Sequence, residues 1–282
     1  MHEDIYREYK NAPNELWEKT LCLTTQQPVI NGVSFPGFPD PQIQIGMVGS
    51  ANINSLGEAI LLHREVHSYA KKIGFEFNAK TKALDFGCGF GRMLRFFMKD
   101  IAPGNLVGTD VDPSFIQLCN DTFSGVRFDV NAPYPPLDYP DASFDFIYAY
   151  SVFTHLSEEA HLQWLKELRR IARPGALIFF TLRQINFLKQ CQHLRSKTNA
   201  SAYDQRLAAN FGDLEEMMRR YILGECIYFS VGGGGVRTGD FYGDTVLPPR
   251  YIYKNWAKYF TIVEIVDERK RMPQAFIVLQ PR

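Results

Sequence analysis

The sequence predicts an α/β protein built on a seven-stranded, mostly parallel sheet with helices on both faces. Three observations carry that expectation. Strand-like runs alternate with segments of helical apolar pattern between residues 82 and 181, the way βαβ units read in sequence. A glycine-rich turn, Gly87-Cys88-Gly89-Phe90-Gly91, stands between the first of these runs and an expected apolar helix (Met93, Leu94, Phe96, Phe97), where backbone can approach a ligand closely. A carboxylate, Asp110, closes the second run, roughly 20 residues beyond the turn.

Taken in order, residues 1–54 lack clean periodicity, and residues 35–41 hold too many prolines for a central strand or a helix interior. They are expected to form an arm or flap. Between 55 and 73, Leu56, Ala59, Ile60, Leu62, Val66, Tyr69, Ala70 and Ile73 recur at three- and four-residue steps, and Gly74 stands where a helix would stop. Strands are expected over 82–86, 105–109, 126–130 and 144–150, and the four prolines within 131–141 make that connection a loop. Ser157 opens a helix with Glu158 and Glu159 in its first turn and Arg169 and Arg170 in its last, as the helix dipole favours. Pro174-Gly175 is expected to end it, before a fifth strand over 176–181. Residues 182–247 read as an insertion capping the active-site face, and a helix (249–258) and two strands (259–266 and 274–279) complete the sheet. The expected organisation is thus an arm, 1–54, and a catalytic domain, 55–282, with its core in 82–181 and 248–282.

The chain has 282 residues, with Lys+Arg and Asp+Glu both at 31. A zero net charge gives no field favouring nucleic acid or an anionic bilayer, so neither is expected as a partner. The amino terminus lacks a basic flank followed by an apolar run, and no stretch approaches the roughly 18 apolar residues of a membrane span. A cytoplasmic protein is expected. The five cysteines, at 22, 88, 119, 191 and 226, are odd in number and scattered, so free thiols are expected rather than a disulfide framework or a zinc site. Oligomeric state is left open by the sequence.

The glycine turn discriminates among ligands. A dinucleotide loop wants a third glycine where this chain has Arg92, and a phosphate loop wants Gly-Lys-Ser/Thr where it has Gly91-Arg92-Met93. Asp85, just ahead of the turn, suits a ligand bearing positive charge better than a pyrophosphate. Asp110 is placed to accept the ribose hydroxyls of a nucleoside. S-adenosylmethionine joins a nucleoside to an ammonium and a sulfonium. Asp112, followed by Pro113, reads as a helix N-cap.

The segments Leu-Asp-Phe-Gly-Cys-Gly-Phe-Gly-Arg (84–92), Gly108-Thr109-Asp110, Phe128-Asp129-Val130-Asn131, Phe144 to Ala149, Ser151-Val152-Phe153-Thr154-His155-Leu156 and Leu168 to Ala176 follow one another in the order and spacing of a family. Over these hundred or so residues the chain resembles class I S-adenosylmethionine-dependent methyltransferases. The resemblance implies a Rossmann-like fold and S-adenosylmethionine as cofactor. It implies a cofactor site made of Asp85, Gly87, Cys88, Gly89 and Gly91, then Asp110 and Val111, then Asp129 and Val130, then Tyr150 and Ser151. More loosely, the proline-rich approach, the Ser-Val-Phe-Thr-His-Leu turn, and Tyr242-Gly243 with Tyr251, Trp256 and Gln274 resemble free-standing methyltransferases of bacterial glycan and lipopolysaccharide biosynthesis. That subgroup implies a glycan or other small-molecule acceptor. The chain departs from the pattern at Gln274-Ala275-Phe276, where a Gln-Asp pair is expected, and at Ala176, where a second glycine is common.

Methyl transfer needs an aligned acceptor, excluded water and, for a hydroxyl acceptor, a base, but no metal. The turn after the fourth strand makes His155 the candidate base, with a structural or positioning role the alternative. Arg237, Asp240 and Tyr242, together with Asp244, lie beside the glycine run 232–235 and could bind a sugar, although a plain flexible loop explains those glycines equally. Phe35 and Phe38 could cover the acceptor or pack on the core. His63 and His67 lack the glutamate that directly follows the first histidine of a zinc-protease motif, so no metal site is expected. His161, within the 157–171 helix, reads as a surface or packing residue. Competing functions are an N-methyltransferase or natural-product methyltransferase, a non-catalytic S-adenosylmethionine-binding protein, and a nicotinamide-dependent oxidoreductase.

Overall fold

A computed structural model describes residues 2–282, beginning with helices α1 (Glu3–Tyr9) and α2 (Asn14–Leu23), a ladder of β1 (Val29–Ile30) with β2 (Val33–Ser34), and helix α3 (Pro41–Val48). The proline-rich stretch stays irregular until Pro41, which takes the first helical position while Asp40 accepts the Gln42 N–H. This segment is packed rather than free: Ile5, Trp17 and Phe35 are buried, and the Trp17 indole donates to the Phe96 carbonyl at 2.7 Å. Phe35 is therefore a core residue, meeting Tyr9 edge-on and Trp17 at a tilt, whereas Phe38 lies under the Arg95 guanidinium at 3.9 Å.

Helix α4 (Gly57–Ile73) ends at Gly74 in the left-handed conformation, as its sequence predicts, and buries Ala59, Leu62, Val66 and Ala70. Strand β3 (Ala83–Phe86) leads into the glycine turn. The expected helix after that turn is a short 3-10 segment, Leu94–Lys99. Every one of its residues is buried, so there is no solvent face for an amphipathic α-helix. Then come β4 (Leu106–Asp110), α5 (Pro113–Thr122) capped by Asp112, β5 (Arg127–Val130) and β6 (Phe144–Ala149). β3 pairs in parallel with β4 and β6, and β4 with β5. Helix α6 (Glu158–Ile171) begins after Ser157, whose hydroxyl accepts the Ala160 N–H.

One boundary differs from expectation. Strand β7 (Ala172–Leu182) starts directly after α6 and runs through Pro174-Gly175. Proline's fixed φ is compatible with extended backbone, Gly175 takes φ +80°, and Arg173 is pinned by Asp145 at 2.7 Å and the Ala142 carbonyl at 3.0 Å. The chain continues with α7 (Ile185–Leu194), α8 (Ala202–Phe211), α9 (Leu214–Leu223), β8 (Ile227–Ser230) paired with β9 (Gly243–Val246), α10 (Pro249–Trp256), β10 (Phe260–Val266) and β11 (Ala275–Pro281). Residues expected as an insertion thus form three helices and a two-stranded ladder around their own apolar cluster, which includes Leu188, Leu207, Phe211 and Ile227.

The main sheet has seven strands in the order β10-β11-β7-β6-β3-β4-β5, with β10 antiparallel to β11. This is the expected Rossmann-like α/β fold. Contacts divide the chain into two units: the N-terminal residues through Ala132 with Leu137–Tyr150 and Ile171–Ile178, and Pro133–Pro136 with Ser151–Arg170 and Phe179–Arg282. Among the described residues no helix is long and apolar enough to cross a membrane, and the five cysteines are free thiols.

Candidate cofactor site and catalytic cluster

In the first unit the parallel register sets Phe86 beside Thr109, bringing the glycine turn over the end of β4. The N–H groups of Gly87 and Cys88 both donate to the Thr109 carbonyl, at 2.7 and 2.9 Å. Gly89 donates to Asp110 Oδ2 at 2.9 Å, and Asp112 to Asp110 Oδ1 at 3.0 Å. The Asp110 carboxylate is therefore fixed by backbone at a strand end. Gly87, Gly89 and Gly91 hold φ of +79°, +51° and +72°. Other residues rarely adopt these values, and at Gly91 a side chain would also meet the Phe123 ring at 2.7 Å. Over Gly89 the space a side chain would fill is taken by the end of Met47, from α3.

Asp85 ends up 2% exposed, and burial pushes its carboxyl up to about 8, aided by the Asp110 charge and opposed by the Tyr148 hydroxyl and Arg92. Its Oδ2 has no hydrogen-bond partner among the described residues. The nearby cation is committed elsewhere: Arg92 donates to the Ser55 carbonyl at 2.7 Å and to Glu58 at 3.1 Å. A buried acid with an unfilled acceptor beside a glycine turn can take a ligand with an ammonium or sulfonium. Asp110 sits beside Val130 in register, and Val130 is 53% exposed, an apolar surface at the strand end. Asp129 is less available than expected, because its Oδ2 accepts from Tyr139 and pairs with Arg127, both at 2.7 Å. Tyr150 is buried under the Arg92 guanidinium, 5.4 Å from its ring centre. Val111 follows Asp110 as a half-buried residue.

In the second unit Ser151, at φ +60°, donates its N–H to the Thr181 hydroxyl at 2.7 Å. Its own hydroxyl accepts from Gln274 at 3.0 Å, so the glutamine of the expected Gln-Asp pair reaches this turn although Ala275 follows it. The His155 Nδ1 lies 2.7 Å from the Gly243 carbonyl. A carbonyl only accepts, so Nδ1 carries the proton and Nε2 keeps its lone pair. The ring stacks on Tyr242, with centroids 4.7 Å apart and planes within 4°. Burial and the Arg183 charge lower the His155 pKa to about 3, against the opposing pull of the Gly243 carbonyl and Asp244.

Behind the histidine Asp244 joins a buried ionic group whose arginines, Arg183 and Arg206, local sequence pattern missed. Asp244, fully buried, pairs with Arg183 at 2.7 Å and Arg206 at 3.3 Å and lies 3.7 Å from His155 Nδ1. Arg183 also donates to the Thr154 carbonyl and the Tyr203 hydroxyl, both at 3.0 Å. Its signal was its place, directly after the fifth strand. Of the residues expected to bind substrate, Tyr242 reaches His155, whereas Asp240 sits in an exposed turn bonded to Thr238 and Arg237 donates its N–H to the Gly234 carbonyl. His161 is a buried packing residue 3.2 Å from the Tyr251 hydroxyl, not a surface one.

Residues 84–180 match a family model described as a methyltransferase domain. Among solved structures, the chain is similar to an S-adenosylmethionine-dependent methyltransferase from Clostridium acetobutylicum, at 14% identity over 85% of this chain and 96% of that one, with a TM-score of 0.55. It is also similar to a SAM-dependent methyltransferase from Anabaena variabilis, at 14% identity over 90% of this chain and 100% of that one, with a TM-score of 0.54. At such identities the likeness is one of fold. The segment matched to a methyltransferase domain contains the glycine turn, Asp85 with its unfilled acceptor, and Asp110.

Proposed function

We propose that the enzyme methylates an oxygen of a small-molecule acceptor, with a carbohydrate as the leading class. The observation that carries this reading is the His155 tautomer: Nδ1 is held by the Gly243 carbonyl, which leaves Nε2 as a proton acceptor. S-adenosylmethionine, when bound, supplies a methyl carbon activated by an adjacent sulfonium. Asp85 holds the ligand's positive charge, Asp110 and Val111 its ribose, and Asp129 and Val130 its adenine, while Tyr150 and Ser151 close the end of the fourth core strand. His155 accepts the hydroxyl proton at Nε2, and its stacking on Tyr242 fixes the ring plane. The Arg183–Asp244 pair keeps Thr154 and the adjoining turn in place. Arg237, Asp240 and Tyr242 are the acceptor-binding residues of this reading, whose glycan assignment rests on the subgroup resemblance.

The depressed proton affinity of His155 favours one second reading, N-methylation. An amine that arrives neutral needs no strong base. An acceptor screen across nucleotide sugars, oligosaccharides, phenols and amines, read as S-adenosylhomocysteine formed, decides between them. Product only with amines would overturn O-methylation, and no product with any acceptor would leave a cofactor-binding protein.

A further inference from the structure

Helix α4 carries His63 and His67 one turn apart, so the two rings share a helix face. Asp100 follows the short helix Leu94–Lys99. Three atoms from these residues converge: His63 Nε2 to Asp100 Oδ2 is 3.2 Å, His67 Nε2 to Asp100 Oδ2 is 3.1 Å, and the two Nε2 atoms are 3.1 Å apart. The side chains of His63, Asp100 and His67 are 0%, 6% and 24% exposed, so the group is closed on one side and reached by water on the other.

Hydrogen bonding alone does not satisfy this triangle. An imidazole nitrogen either donates or accepts in the ring plane, never both. If both histidines donate to the carboxylate, two N–H groups face each other. If one keeps its lone pair, that lone pair faces the carboxylate oxygen. A cation at the centre satisfies all three atoms together. Nitrogen and oxygen ligands about 2.0 Å from a tetrahedral zinc ion lie about 3.3 Å from one another, close to the separations present here.

The surroundings are those of ligands already oriented. His63 Nδ1, buried and without a closer partner among the described residues, lies 3.5 Å from Glu18 Oε1, and Arg64 clamps Glu18 at 2.6 Å. The outer oxygen of Asp100 accepts from Lys99 at 2.7 Å. Such outer carboxylates and cations set ligand orientation in metal sites. Phe96 and Phe97 pack on the His63 ring and Phe77 on that of His67, giving the site apolar walls.

We propose that His63, His67 and Asp100 bind a divalent transition-metal ion of the zinc type, with a fourth position open to water. The ion clamps α4 to the segment that follows the glycine turn, and Glu18 extends the clamp to α2. Local spacing hides the site because the third ligand comes 33 residues after His67.

The test uses the full chain stripped with a chelator, then titrated with Zn2+ against a chromophoric chelator and separately with Co2+. The expected result is one equivalent bound, a higher melting temperature with zinc, and the visible bands of tetrahedral cobalt without thiolate charge transfer. His67→Asn, at a partly exposed position, should weaken binding at least about 100-fold while melting like the wild type in chelator, and Glu18→Gln should weaken it by about 10- to 100-fold. No stoichiometric uptake by the wild type, wild-type affinity in His67→Asn, or a thiolate signature on cobalt would each overturn the proposal. The wild-type cobalt spectrum decides even where a variant fails to fold.

Discussion

The carboxylate of Asp110 accepts the backbone N–H of Gly89 at 2.9 Å, joining the end of one strand to the middle of the glycine turn 21 residues earlier. One side chain thereby shapes the loop, and in the proposed reading it also meets the ribose. Asp110→Ala should lose a charge-assisted ribose contact of roughly 1.5–3 kcal/mol, weakening S-adenosylmethionine binding about 10- to 100-fold. It should also destabilise the ligand-free protein by about 1–3 kcal/mol through the orphaned loop amides. Calorimetric titration and thermal melting measure both, and an unchanged dissociation constant in a folded variant would remove Asp110 from the site.

If Asp85 meets the cofactor's positive charge as proposed, it links binding to protons. Without ligand its carboxyl is pushed up to about 8 by burial, so near pH 7 it is mostly protonated, and a cationic ligand must draw out that proton. Affinity should therefore rise with pH between 6 and 8, with proton release detectable in buffers of different ionisation enthalpy. A raised carboxyl pKa also means that the stability this group contributes is greatest in acid and is lost as pH climbs toward 8. Asp85→Asn should raise the melting temperature at pH 8, flatten the pH dependence of binding, and weaken the ligand. A pH-independent affinity in the wild type would contradict the assignment.

His155 should act through turnover more than through cofactor affinity. His155→Gln is expected to lower kcat by about 10²- to 10⁴-fold while leaving the S-adenosylmethionine dissociation constant within about threefold. Because its pKa is lowered to about 3, the wild-type rate should show no histidine-like fall between pH 7 and 5.5. A near-normal rate in the variant would leave His155 a structural residue.

His155 and His161 are both held neutral by burial, each with a pKa lowered to about 3. The unfolded chain binds the extra proton, so the stability they provide is complete above about 6.5 and is lost as pH falls toward 3, at about 1.4 kcal/mol per unit for each group. His161→Gln, which cannot titrate, should shallow the fall in denaturation free energy between pH 6 and 4. An unchanged slope in urea titrations would show that His161 is not buried neutral.

Much of this was legible in the sequence. The alternation of strands and helices, the Gly74 stop, the Asp112 cap and the apolar face of α4 are local properties, and they lie where their spacing puts them. The positions of the glycine turn, Asp85 and Asp110 at strand ends were legible because such geometry is set within a few residues. The short helix after the turn was not, since burial on every side overrode an apparently helical pattern. Residues 1–54 read only as an arm or flap because their order comes from packing, as in Trp17 on the Phe96 carbonyl, and not from periodicity.

By itself the sequence determined the sheet, the loop and the positive charge of the ligand that the loop prefers. Only the tertiary structure decided which tautomer His155 adopts, that Arg183 and Arg206 enclose Asp244, and that Asp100 meets His63 and His67. Backbone conformation follows from near neighbours, whereas a proton's position or a metal's ligand set depends on atoms that approach within 4 Å across tens of residues of chain.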